Sequence, residues 1–94
     1  MSAVEIEDAL LSHPDVREAA VVGVPDELRG QIPKAYVVAE RTDAGFGREL
    51  QEWVSQRLSR HEYPRAIEFV EELPKTPAGK IDRLSLRGRG RETA

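Results

Sequence analysis

The sequence predicts an α+β fold, a small three-stranded sheet covered by helices. Three observations carry that expectation. The 94 residues are enough for one modest core, since a chain of this size buries roughly two-thirds of its unfolded surface. Two apolar, partly β-branched blocks at residues 16–24 and 32–39 follow one another closely, as paired strands do. On either side of them, apolar residues recur at helical spacing.

Taken in order, Ser2 and Glu5 have the spacing of a capping box, the serine hydroxyl accepting from the third helical amide while the glutamate reaches back. Ile6, Ala9 and Leu10 then share a helical face, with Glu5, Asp8 and Ser12 elsewhere, predicting a helix over 3–12. His13-Pro14 ends it, because proline disfavours α geometry in the residue before it. The first strand follows, with Gly23 allowing another backbone to come close. Pro25-Asp26 opens a turn that Gly30 closes, and the second strand places Pro33 at its start or at an edge. After the loop at 42–45, Leu50, Trp53, Val54 and Leu58 form a stripe that predicts a helix over 48–60, with Phe46 able to extend it. Tyr63-Pro64 breaks that helix. Residues 66–70 read as a short third strand and 73–79 as a loop. Asp82 can cap a last short helix holding Leu84 and Leu86. The expected domain is 1–87, and 88–94, with its alternating Gly and Arg, is expected to be a flexible tail.

Composition narrows the function classes. A net charge of −3 argues against phosphate neutralisation, and so against nucleic acid as a partner. With no cysteine, disulfides and thiolate metal sites are excluded, as suits a reducing compartment. Residues 1–5 lack the basic and apolar regions of a signal peptide, and no apolar run reaches the ~20 residues of a membrane span. A soluble, cytoplasmic protein without membrane partners is expected.

Few residues offer chemistry. His13 and His61 each adjoin a helix end, where the dipole favours histidine without any catalytic duty. Glu71 and Glu72 are adjacent, so on extended backbone they point apart. Trp53 lies in an apolar stripe and reads as core. The arginines at 83, 87, 89 and 91 read as a solvated basic end. Residues 74–80 differ. Pro74, Pro77 and Gly79 shape a loop that, with Thr76, delivers Lys80 at its end. A lysine so presented can set a point charge against a phosphate or carboxylate. A lone surface lysine is as a rule only solvent-facing, and spacing does not decide between the two.

The run Pro74-Lys75-Thr76-Pro77-Ala78-Gly79-Lys80-Ile81-Asp82-Arg83 resembles the final signature motif of the adenylate-forming superfamily, which includes acyl-CoA synthetases, peptide-synthetase adenylation domains and beetle luciferases. Residues 4–7 with His13-Pro14-Asp15-Val16 are similar to the first helix and turn of its mobile carboxy-terminal domain. Residues 19–26 with Arg29-Gly30-Gln31 are similar to its first strand and loop, and 61–65 with 67–70 to the segment before the lysine. The resemblance implies that Lys80 is catalytic, reaching a site on a large amino-terminal domain where acyl-AMP forms, and that the small domain then rotates for thioester formation. Lys75 and Arg83 take supporting or structural parts. It also implies ATP with magnesium, a carboxylic acid and CoA as ligands of the full-length enzyme, with none held by this fragment alone, which would be inactive by itself. The phosphate loop and acyl pocket belong to the large domain. Details around Tyr63-Pro64-Arg65 resemble the branch acting on medium-chain or aromatic acids. A domain loading a carrier protein, and a stand-alone binding module without catalysis, are the alternatives.

Overall fold

The computed structural model describes residues 3–59 and 63–92 of the chain. Ser2 and His61 lie outside them, so the serine half of the capping box and the second histidine receive no structural account.

Helix α1 spans Ala3–Leu11, strand β1 Val16–Asp26, strand β2 Gly30–Ala39, helix α2 Ala44–Arg57, strand β3 Ala66–Phe69 and helix α3 Arg83–Glu92. The α+β class and the three-stranded sheet are as the sequence predicts. β1 and β2 pair antiparallel from Val16↔Ala39 to Asp26↔Gly30, and β3 joins β2 in parallel from Lys34↔Ala66 to Val37↔Phe69. The sheet order is β1-β2-β3. A parallel partner needs a crossover between the strands, and α2 supplies it.

Both faces of the sheet are covered, which explains why β1 reads as a nearly continuous apolar run. Side chains alternate along a strand. Ala19, Val21, Ala35 and Val37 therefore join Ile6, Leu10, Phe46, Leu50 and Val54 under α1 and α2. Ala20, Val22, Val24 and Tyr36 point the other way, to Leu73 and Leu86. There the buried Tyr36 hydroxyl donates to the Leu86 carbonyl at 3.3 Å, fastening α3 to the central strand.

The β1–β2 turn is held by Asp26, whose carboxylate accepts from the amides of Leu28 and Arg29 at 3.2 and 3.0 Å. Pro33 stands inside β2 and not at its start, one residue before the β3 ladder begins. Its carbonyl accepts from the Arg65 amide at 2.9 Å.

Helix α2 begins at Ala44, four residues earlier than the stripe alone indicates, because Asp43 caps it. The Asp43 carboxylate accepts from the Phe46 amide at 2.9 Å, and that bond holds its carboxyl below the ordinary value of 3.8, with Arg41 adding to the effect. Phe46 joins the buried stripe. Trp53 does not: it is half-buried, its indole N–H donating to the Ala9 carbonyl at 2.9 Å and the Ser12 hydroxyl at 3.0 Å, with Arg57 stacked 3.2 Å over the ring. The ring covers the end of α1 from outside. A tryptophan so placed is buried by its face and satisfied at its N–H.

His13 is buried beside it, packed edge-on against Phe46. Its Nδ1 accepts from the Asp15 amide at 3.1 Å and its Nε2–H donates to Glu49 at 2.8 Å. Both ring nitrogens are committed to structure. The His13 bond holds the Glu49 carboxyl below its usual range, assisted by Arg41.

Helix α3 also runs further than expected, through Gly88 and on to Glu92. Leu86 is buried, whereas Leu84 is 77% exposed. No helix among the described residues is long and apolar enough to cross a membrane.

Two predictions follow from this packing. Leu50 is fully buried at the meeting of α1, α2 and the sheet, so Leu50→Ala should destabilise the isolated domain by about 2–5 kcal/mol in urea titrations. Asp43 should contribute stability in full above pH 3.8 and lose it as pH falls through its lowered folded value. Asn caps equally well without titrating. The native domain should therefore match Asp43→Asn in melting temperature near neutrality and fall below it on acidification, and a gap independent of pH would contradict the assignment.

Candidate functional site

The segment between β3 and α3 must carry the chain from one edge of the sheet to its second face. It does so as a small hairpin. Leu73 is buried in the second core and anchors the start. The Asp82 amide donates to the Pro74 carbonyl at 2.9 Å, and Lys75 and Ile81 form an antiparallel bridge. Nearer the tip, the Thr76 amide donates to the Lys80 carbonyl at 2.7 Å and the Gly79 amide to the Thr76 carbonyl at 2.8 Å. Thr76 contributes twice, its hydroxyl accepting from the Lys80 amide at 3.3 Å.

This geometry gives each residue singled out in the sequence a physical reason. Thr76 to Gly79 is a hydrogen-bonded β-turn with Pro77 at its second position, where a fixed φ is favourable. Among the described residues no non-glycine has positive φ, so Ala78 excludes a type II turn. Gly79, at φ 84°, then supplies the left-handed residue that follows a type I turn in a three-residue hairpin loop. Any side chain at that position would be strained.

Lys80 is the next residue. Ile81 packs toward the second core, and alternation along extended backbone turns Lys80 the other way. Its side chain is exposed. Among the described residues its ammonium has no hydrogen-bond or ion-pair partner. Lys75 is different, with Nζ 2.8 Å from Glu18 Oε1. Both side chains are about two-fifths exposed (39% and 41%), and such a surface pair is worth roughly 0–1 kcal/mol.

Arg83 closes the far side. Its guanidinium donates to Glu7 Oε1 at 2.6 Å and to the Val21 carbonyl at 3.5 Å. The Glu7 side chain is only 8% exposed and that of Arg83 40%. Removing one partner of a fully buried pair costs about 3–5 kcal/mol, and less here because the arginine is partly wet. Asp82 starts α3 as expected, its carboxylate accepting from the Ser85 amide at 3.1 Å and the Ser85 hydroxyl at 2.9 Å. The amide bond is the main reason its carboxyl lies below the ordinary value.

Glu7 is the residue that sequence reasoning missed. The signal was present: on a helical wheel Glu7 lies about 60° from Leu10, on the shoulder of the apolar stripe. The other candidates stay apart from the hairpin. His13 serves the first core, and Glu71 and Glu72 are exposed. The described residues hold no group of three or more His, Cys, Asp and Glu suited to a metal ion. What the site offers, among the described residues, is a free ammonium on a braced support, complementary in charge to a phosphate or carboxylate oxygen.

Comparison with known proteins bears on this arrangement. Residues 5–80 match the model of the AMP-binding enzyme C-terminal domain. The chain is 50% identical over 91 residues to 4-hydroxybutyrate--CoA ligase 1 of Metallosphaera sedula, covering 94% of this chain and 16% of that protein. It is 43% identical over 88 residues to the mitochondrial acyl-coenzyme A synthetase ACSM3 of Rattus norvegicus, covering 88% of this chain and 15% of that one. Among solved structures, the acyl-CoA synthetase of Brucella canis superposes with a TM-score of 0.93 at 48% identity, over 99% of this chain and 18% of its own. The chain thus spans about a sixth of the length of these relatives. A matched segment that ends on Lys80 itself, and a fold shared almost residue for residue, place the chain in the AMP-binding enzyme C-terminal domain family.

Proposed function

We propose that the chain is the carboxy-terminal lid of an ATP-dependent, AMP-forming acid:CoA ligase, in which Lys80 supplies positive charge for acyl-adenylate formation. One observation carries the reading. Lys80 is an exposed ammonium, unpartnered among the described residues, at the end of a hairpin whose backbone is hydrogen-bonded on both sides. A general surface lysine has no need of such a support.

The chemistry needs a charge of this kind. A carboxylate attacking the α-phosphate of ATP brings two anions together, and negative charge builds on the phosphoryl oxygens as pyrophosphate leaves. An ammonium at ~4 Å contributes about 4 kcal/mol at a surface-like effective dielectric. Because the hairpin fixes the Lys80 backbone, only the side chain remains to be ordered when the substrate arrives. Lysine suits the task as a compact point charge on a long, flexible stem. Rotation of the whole domain would then withdraw Lys80 and present another face for attack by the CoA thiol, a gating motion between two half-reactions.

The partners proposed are a large amino-terminal domain of the same enzyme, ATP with magnesium, a carboxylic acid and CoA. The CoA ligases among the relatives favour free CoA over a carrier protein. For the acid, the medium-chain or aromatic class is proposed from the sequence. The cytoplasm is the proposed compartment, the name of the rat relative marking mitochondria as the alternative.

In the full-length protein, Lys80→Ala should lower acyl-adenylate formation, followed by pyrophosphate exchange, about 100- to 1,000-fold, the usual cost of one lost transition-state contact. Thioester formation from supplied acyl-AMP should change little. Equal losses in both half-reactions would contradict the role. The 94-residue chain alone should show no pyrophosphate exchange with any acid, and a carrier protein accepted in preference to CoA would turn the proposal toward a carrier-loading enzyme.

A further inference from the structure

We infer that Glu7 is a positioning residue for Lys80, acting through Arg83; this rests on the catalytic reading of Lys80 above. Glu7 lies 76 residues from Arg83 in sequence, yet their side chains meet at 2.6 Å. A carboxylate at a buried helix position is costly unless paired, and Arg83 is its one ion-pair partner among the described residues. Core packing alone would be served as well by an apolar side chain at that place. The carboxylate must therefore be explained by what it holds.

It holds the far flank of the lysine hairpin. Arg83 is the first residue of α3, three positions beyond Lys80. Between them, Ile81 packs into the second core and the Asp82 amide is bonded to the Pro74 carbonyl. The near flank is held by the burial of Leu73 and the exposed Lys75–Glu18 pair. Of the two ion pairs the Glu7–Arg83 contact is the more enclosed, and it is the one of the two that reaches α1, on the opposite face of the sheet from α3. With Glu7 removed, the start of α3 loses its charged anchor and the Lys80 backbone can shift. A displacement of about 1 Å in a reacting group can cost on the order of 100-fold in rate.

The test uses the full-length protein, with Glu7→Gln, Arg83→Lys, Lys80→Ala and the double variant Glu7→Gln with Lys80→Ala. Glu7→Gln should lower acyl-adenylate formation about 10- to 100-fold, with thioester formation from supplied acyl-AMP within about threefold of the native rate. On the Lys80→Ala background the same change should add less than about a twofold loss, since both act through one ammonium. Arg83→Lys keeps both charges but loses the forked contact to Glu7 and Val21, and it carries the same expectation should Glu7→Gln fail to fold. Melting temperatures separate this from general loosening, because a domain that is merely destabilised slows both half-reactions alike. Equal losses in the two half-reactions, no loss in the first, or full additivity with Lys80→Ala each overturns the inference. If Lys80→Ala leaves acyl-adenylate formation intact, the catalytic reading itself falls, whatever Glu7 does.

Discussion

The constraint on which this structure turns is that a three-stranded sheet in a short chain is covered on both faces. The first face takes α1 and α2, which arrive early in the sequence and pack on Ala19, Val21, Ala35 and Val37. The second face is left to what remains after β3. Leu73, Ile81 and Leu86 fill it, and the backbone between the first two has no room to wander. It must double back within seven residues, which is why prolines, a threonine and a positive-φ glycine are found there. Lys80 inherits its position from that passage. A requirement of packing thus becomes a way of presenting charge.

Much of this was legible from residue types. The helical stripe through Leu50, Val54 and Leu58 locates α2, the two β-branched blocks locate the β1–β2 pair, and the proline–glycine punctuation locates the hairpin. Asp82 as a cap could be read directly. These signals are local, since each depends on neighbours within a few residues. The pairing of β3 with β2 is not local, and nothing in residues 66–69 states that their partner runs parallel. The start of α2 was misplaced because Gly45 and Gly47 have poor helix propensity, while the Asp43 cap and the burial of Phe46 outweigh it. The extension of α3 through Gly88 ran against the same propensity.

The site divides in the same manner. Lys80 could be found from its own loop, and family resemblance gave it a role. Glu7 could not, because its meaning lies in a residue near the other end of the chain. A lone glutamate beside an apolar stripe is ordinarily a solvated flank. Only the folded arrangement shows it turned inward.

The single tryptophan has a practical consequence. Its ring is clamped where the two early helices touch, beneath a guanidinium and bonded to α1. Its emission will therefore follow the docking of those helices and remain indifferent to the hairpin across the sheet. A label attached near residue 78 would report on the hairpin instead, leaving the native indole as a separate report on the two helices.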